Sequence, residues 1–228
     1  MIAGGVIVAA GRGERFGQTS KILAPIAGRP MLAWSLDAFG QCPAVRDLVV
    51  VVGPHTENDV RDLIAGGHWP TVTGIVEGGL SRAASVANGI AALSDDVDVV
   101  VIHDAARPLV NHHDIQRAAI AAFKHGAAIL ATPVTDTLKR VSAERVIEET
   151  IDRSSIWAAQ TPQAFRRLEL LTALGEVTNS GWTDEAMVFE RLGFDVKILA
   201  GSRDNLKVTL PEDLDIVDFL MRRNLGML

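Results

Sequence analysis

Apolar and polar positions along the 228-residue chain fall into two alternating rhythms. Near-continuous apolar runs occur at Val6 to Ala9, Leu48 to Val52, Val97 to Ile102, Ala128 to Thr132 and Val196 to Leu199. Strand side chains point alternately to the two faces of a sheet. A run that is apolar at nearly every position therefore predicts a strand covered on both faces, the habit of parallel sheets. Between these runs the apolar residues recur every three or four positions. Pro30 to Phe39 places Leu32, Leu36 and Phe39 on one helical face. Thr56-Glu57-Asn58-Asp59 reads as a capping-box variant ahead of Val60, Leu63 and Ile64. Ser85 is placed to cap a helix carrying Val86, Ile90 and Leu93. Thr209, with Pro211, Glu212 and Asp213 in the first turn, opens a last helix bearing Leu214, Val217 and Met221. The alternation predicts one α/β, doubly wound, mostly parallel domain over residues 1–228.

Residues 136–163 break that rhythm. Polar and apolar residues alternate there around Ser142-Ala143-Glu144, which predicts an antiparallel hairpin projecting from the main sheet. Such a hairpin has little core of its own and needs something to pack on, a second subunit being the first candidate.

Composition narrows the function classes. Hydrophobic residues make up 48% of the chain, enough for one large core, and the net charge is -6. That balance gives no electrostatic case for binding nucleic acid or a bilayer, so any anionic ligand must be held by locally clustered Arg and Lys. Cys42 is the only cysteine, which excludes an intrachain disulfide and a thiolate metal cluster. Without a basic leader or an apolar stretch of spanning length, the expected location is the cytoplasm.

Candidate chemistry begins where the first strand ends, in Ala9-Ala10-Gly11-Arg12-Gly13. Closely spaced glycines after a strand let backbone N–H groups approach phosphates. The next glycine is Gly17, so the spacing misses the dinucleotide fingerprint, and the second strand leads into Gly53-Pro54-His55 with no acidic residue. No Gly-Lys-Ser/Thr is present, which removes the P-loop. What remains is a glycine turn flanked by Arg12, Arg15 and Lys21, a polyphosphate cradle without a dinucleotide signature. His103 and Asp104 close a buried strand, at the edge where open α/β sheets bind ligands, with Arg107 on the following turn. An Asp beside an Arg suits a metal-bound, phosphorylated ligand. Gly78, Gly79, Arg82 and Ser85 lie between a short strand and a helix as candidate base or ribose contacts. Thr183-Asp184-Glu185-Ala186 reads as a helix N-cap with an acidic first turn, and Lys207 by itself as solvated surface. His112-His113 reads as a polar loop ahead of the Asp114 helix, because adjacent residues rarely converge on one ion. Cys42 has no activating neighbour.

Taken in order, "AAGRGERFG", "GGLSRAASV", "HDAARP", "PVTDTLK", "RSSIWAAQTPQAF", "TDEA" and "DNLKVTLPEDL" resemble the 2-C-methyl-D-erythritol 4-phosphate cytidylyltransferases over nearly the whole chain. The resemblance implies a Rossmann-like sheet of the nucleotidyltransferase type. It implies transfer of CMP from CTP to methylerythritol phosphate, assisted by Mg²⁺ or another divalent cation. It further implies a homodimer built through the hairpin arm. By the same resemblance Arg15, Lys21, Arg153 and Lys207 are catalytic. Ala9, Ala10, Gly11, Gly13, Gly79, Arg82, Ser85 and Asp104 surround the nucleotide. Asp104, Arg107, Thr137, Arg153, Thr161 and Thr183 address the second substrate, Thr137 and Arg153 from the partner's arm, with Asp104 also near the metal. The sequence departs from the family's habit at Ser20-Lys21-Ile22, in a first loop one residue shorter between Arg15 and Lys21, and at Leu80 and Ala84. The alternatives are a transferase for ribitol 5-phosphate or another sugar phosphate, to which "KILAPIAGRPML" is similar, and a nucleotide-binding paralogue without turnover.

Overall fold

The structure, a computed structural model, describes residues 1–11, 21–176 and 182–228. Its strands are β1 (Ala3–Ala9), β2 (Pro25–Ile26), β3 (Arg29–Pro30), β4 (Val45–Val52), β5 (Val72–Glu77), β6 (Val99–Asp104), β7 (Ala127–Pro133), β8 (Leu138–Val141), β9 (Ile147–Ile151), β10 (Trp157–Arg166) and β11 (Lys197–Ala200). The α-helices are α1 (Met31–Gly40), α2 (Glu57–Gly66), α3 (Arg82–Ala91), α4 (His112–His125), α5 (Arg167–Glu176), α6 (Ala186–Arg191) and α7 (Asp213–Asn224). A seven-stranded sheet runs β11-β7-β10-β6-β1-β4-β5. Within it β10 is antiparallel to both β6 and β7, and the other pairs are parallel.

The central strands β1, β4 and β6 are buried on both faces, and that is why their sequences are apolar at nearly every position. Ile7, Leu48, Val50 and Val52 point to a core shared with Leu36 and Phe39 of α1, Val60 of α2 and Ile115 of α4. Their neighbours Val6, Val49 and Val51 point to the opposite core, with Val86 and Ile90 of α3, Leu170 of α5 and Phe189 of α6. Each such side chain, fully withdrawn from water, stabilises the fold by about 1.5–3 kcal/mol. A third cluster joins Ile26 and Met31 to Val208, Val217 and Met221, pinning α7 beside the small β2–β3 pair.

Several local expectations need correction. The hairpin arm is shorter than residues 136–163: β8 and β9 pair only with each other, while β10 belongs to the main sheet. Ser81, not Ser85, caps α3, accepting the Ala84 N–H at 3.1 Å, and Ser85 sits inside the helix. Thr56 stands at the N-cap of α2 without a side-chain cap bond, its hydroxyl donating instead to the Gly53 carbonyl. Helix α7 begins at Asp213, whose carboxylate accepts the N–H groups of Thr209 and Leu210. His112 and His113 lie in the first turn of α4, capped by Asn111, rather than in a loop.

Candidate active site

Four parallel strands end together at one edge of the sheet. Ala9 of β1 sits beside Val52 of β4, Val8 beside Asp104 of β6, and Val52 beside Glu77 of β5. Past these ends the backbone segments crowd closely. A Cβ on Gly78 would stand 2.5 Å from the Ala10 Cβ and 2.9 Å from Ser85 Oγ, so only glycine lets the two loops meet. Ser85 fixes this loop: its hydroxyl accepts the Gly79 N–H at 3.1 Å and donates to the Ser81 carbonyl at 2.9 Å. Gly11 differs, since a Cβ there would meet nothing within 4 Å. Among the described residues, packing does not require glycine at that position. Ala9, Ala10, Gly11, Gly79 and Ser85 are thus gathered at the edge, whereas Arg12, Gly13 and Arg15 lie outside the described residues.

Asp104 is the centre of the charged groups. Its Oδ1 accepts from Arg82 Nη1 at 2.7 Å, and its Oδ2 pairs with Lys207 Nζ at 2.7 Å. Arg107 Nε stands 3.9 Å from the same Oδ2. Burial alone would raise the Asp104 pKa, but Arg82 and Lys207 more than offset it and hold the carboxyl well below the usual range. Lys21 donates to the carbonyl of Val208, one residue after Lys207, at 3.0 Å. The segment carrying Lys207 is anchored in turn by the Val208 N–H on the Ala106 carbonyl at 2.8 Å. Lys207 remains exposed, as its local sequence indicates, but it is ion-paired with the buried Asp104 rather than isolated on the surface.

Behind Asp104 a neutral histidine sets the backbone. His103 Nε2 lies 3.1 Å from the Arg107 carbonyl, which can only accept, so Nε2 carries the proton. Complete burial pushes the His103 pKa down to about 4, leaving Nδ1 a bare acceptor near neutral pH. The Thr161 hydroxyl donates to that Nδ1 at 2.9 Å and accepts the Asp104 N–H at 3.1 Å. Thr161, expected at the substrate face, is 4% exposed with its hydroxyl engaged in this relay. Asn205 joins the same layer: its Nδ2 donates to the Thr161 carbonyl, and its own carbonyl accepts Arg107 Nη1 at 2.7 Å. Arg107 Nε has no hydrogen-bond partner among the described residues, which leaves one buried donor for a ligand.

The "TDEA" segment supplies a residue that sequence reasoning passes over. Glu185 is 2% exposed and receives Arg82 Nε and Nη2, each at 3.1 Å. Its only signal in the sequence is an acidic residue abutting Ala186, Val188 and Phe189, the buried face of α6. Asp184, not Glu185, accepts the Met187 N–H at the helix start, and Thr183 is exposed beside it.

Two expected substrate residues lie elsewhere. Thr137 and Arg153 meet on the hairpin arm, where with Thr150, Ile151 and Asp152 they line a hollow of about 370 Å³. Arg153 donates to the Thr135 carbonyl and stays exposed. No contact joins these arm residues to Asp104 or Lys207 within the described chain.

No group of three or more His, Cys, Asp or Glu able to hold a metal occurs among the described residues. Both Asp104 oxygens are engaged by Arg82 and Lys207. No helix among the described residues is long and apolar enough to cross a membrane.

A doubly wound sheet whose carboxyl edge gathers Arg82, Arg107 and Lys207 around one carboxylate, with Lys21 on the adjoining Val208 carbonyl, is built for a phosphorylated anion. Comparison with known proteins makes the class specific. The family model for 2-C-methyl-D-erythritol 4-phosphate cytidylyltransferase (IspD) matches residues 3–223. A protein of that name from Prochlorococcus marinus (strain MIT 9313) is 42% identical over 216 residues, covering 93% of this chain and 95% of the relative. The crystal structure of 4-diphosphocytidyl-2C-methyl-D-erythritol synthase from Anaerococcus prevotii DSM 20548 superposes with a TM-score of 0.85 at 25% identity, over 97% of this chain and 96% of that one. The Thermus thermophilus cytidylyltransferase structure gives 0.77 at 30% identity, over 97% and 100%. The chain belongs to the 2-C-methyl-D-erythritol 4-phosphate cytidylyltransferase family, whose members are nucleotidyltransferases.

Proposed function

We propose that this protein transfers CMP from CTP to 2-C-methyl-D-erythritol 4-phosphate, releasing pyrophosphate. The observation that carries the reading is the convergence of Arg82, Arg107 and Lys207 on Asp104 at the carboxyl edge, with Lys21 bound to the Val208 carbonyl next to Lys207. An oxygen of the methylerythritol phosphate attacks the α-phosphorus of CTP, and the bond from that phosphorus to the β-phosphate bridging oxygen breaks. The second pKa of a phosphate monoester is ~6, so the nucleophile is largely dianionic at neutral pH and needs no general base. That suits a site whose one histidine is buried behind Asp104. The barrier lies in bringing two anions together, so positioning and preorganised positive charge are the levers, without a covalent enzyme intermediate.

On this reading Lys21 and Lys207, with Arg15 from the first loop, bind the triphosphate, and Lys207, held by Asp104 Oδ2, turns its remaining ammonium donors to the α-phosphate. Arg82, Gly79, Ser85, Ala9, Ala10, Gly11 and Gly13 surround the cytidine. Arg107 offers its unpaired Nε to the second substrate, with Thr183 at the open side. Thr161 holds the Asp104 backbone and His103 from behind. A divalent cation would come with the phosphates of CTP and offset their charge, Asp104 being the carboxylate on hand to help hold it. Thr137 and Arg153 complete the methylerythritol phosphate site of a partner subunit, the arm of each protomer reaching the edge of the other. Residues 1–228 act as one nucleotidyltransferase domain, working in the cytoplasm.

The test is pyrophosphate release with CTP and Mg²⁺, comparing methylerythritol phosphate with ribitol 5-phosphate. Turnover confined to methylerythritol phosphate is the expected result. Turnover confined to ribitol 5-phosphate would replace the substrate, and CTP binding without turnover on either would reduce the protein to a nucleotide-binding module.

A further inference from the structure

We infer that Glu185 is a positioning residue for the transfer reaction, acting through Arg82 on Asp104 and through Asp104 on Lys207. The inference deepens the proposed function and rests on its placing Lys207 at the α-phosphate. The geometry is a single chain of charge-assisted contacts. Arg82 presents Nε and Nη2 to the two Glu185 oxygens at 3.1 Å each, a fork that fixes the guanidinium plane as well as its position. The remaining nitrogen, Nη1, is thereby delivered to Asp104 Oδ1 at 2.7 Å, and Asp104 Oδ2 holds Lys207 Nζ at 2.7 Å.

Two features argue that this carboxylate is more than a structural ion pair. A buried ion pair is weak grounds for stability, because desolvation of both charges offsets their attraction. Glu185 also does nothing for its own helix: it stands at the N-cap of α6 with no side-chain cap bond, and Asp184 takes that part. Its two neighbours are nonetheless tied to the sheet. Gln163 of β10 donates to Asp184 at 2.9 Å and accepts the Ala186 N–H at 3.4 Å.

Charge balance explains what Glu185 does there. With Glu185 ionised, the Arg82 charge is matched, and Asp104 keeps attraction to spare for Lys207. Were Glu185 neutral, Arg82 would draw fully on Asp104 and compete with Lys207 for it. Lys207 would then rest less firmly where the α-phosphate arrives.

The experiment is a double-mutant cycle on the full chain: wild type, Glu185→Gln, Asp104→Asn and the double variant. CMP transfer from labelled CTP to methylerythritol phosphate is measured, with site concentration fixed by CTP-binding stoichiometry so that misfolded protein does not count. Glu185→Gln is expected to lower kcat by about tenfold to hundredfold in the wild-type background. In the Asp104→Asn background it should change kcat by less than about twofold, because the relay is already cut. Should the amide variant not fold, Glu185→Asp is read in the same cycle, with a smaller loss that likewise disappears beside Asp104→Asn. Unchanged kcat in the Glu185 variant, or the same fold loss in both backgrounds, overturns the inference alone. A wild-type enzyme inactive on methylerythritol phosphate overturns the proposed function and the inference with it.

Discussion

Two Arg–Glu pairs in this molecule have the same chemistry and opposite meaning. On the hairpin arm Arg140 meets Glu149 at 2.5 Å, with both side chains more than half exposed. At the sheet edge Arg82 meets Glu185 at 3.1 Å, with Glu185 almost fully buried. The shorter contact is the weaker one, because water screens it and two long side chains must be ordered to make it. The longer one lies in a low-dielectric layer where every charge must be matched and geometry is fixed. The difference extends to the regions themselves. The edge is a preorganised electrostatic site resting on two cores, and the arm is a two-stranded ribbon with Val141, Val146 and Ile147 exposed. The edge concentrates charge around one carboxylate, and the arm leaves apolar side chains open to solvent.

The largest expected effect falls on the edge lysines. Lys207→Ala and Lys21→Ala should each remove about 2–4 kcal/mol of transition-state stabilisation, a loss of roughly hundredfold to a thousandfold in kcat. Thermal melting should show the fold retained. Near-normal turnover in either variant would remove that lysine from the mechanism.

Next comes a pH effect confined to the edge. The folded His103 pKa lies near 4, below the ~6.5 of an unfolded chain. Between those values the unfolded chain binds a proton that folded His103 refuses. Stability is therefore lost as pH falls through that window, by up to about 3 kcal/mol at its acid end, and His103 costs nothing above it. Denaturant titrations from pH 7 to pH 4 should show a smaller acid loss in His103→Gln than in wild type. Equal losses would mean that His103 is not held neutral.

Arm residues should respond differently. Arg153→Ala is expected to lower kcat/KM for methylerythritol phosphate by about tenfold, with melting unchanged. A rise confined to KM for CTP would move Arg153 to the nucleotide side. The smallest effect belongs to the exposed pair: Arg140→Ala should alter unfolding free energy by less than about 0.5 kcal/mol, measured by urea titration. A loss comparable to that of an edge substitution would erase the contrast between the regions.

The sheet and its edge are legible in the sequence because burial on both faces leaves a plain mark. The runs at β1, β4, β6, β7 and β11 read as they stand, within a few residues at their ends. β10 does not, because Gln160, Pro162 and Gln163 interrupt it and its antiparallel insertion between β6 and β7 follows from no local pattern. Its residues read instead as part of the arm. Asp104, Arg107, Lys21 and Lys207 emerge through motif and resemblance, but their meeting at one point does not, since Lys207 lies far along the chain from Asp104. Glu185 escapes for a related reason. Acidic residues at helix starts usually serve the helix, and only the packing of α6 shows this one turned toward Arg82.

One measurement tests most directly whether edge and arm are two halves of a composite site. Lys207→Ala and Arg153→Ala chains, each crippled alone, are co-expressed and purified together, and CMP transfer to methylerythritol phosphate is assayed. If the arm of one protomer completes the edge of the other, half the dimers are mixed and one site in each is intact, giving about a quarter of wild-type turnover. Turnover no greater than the average of the two separate variants would contradict the account and return Arg153 to its own subunit.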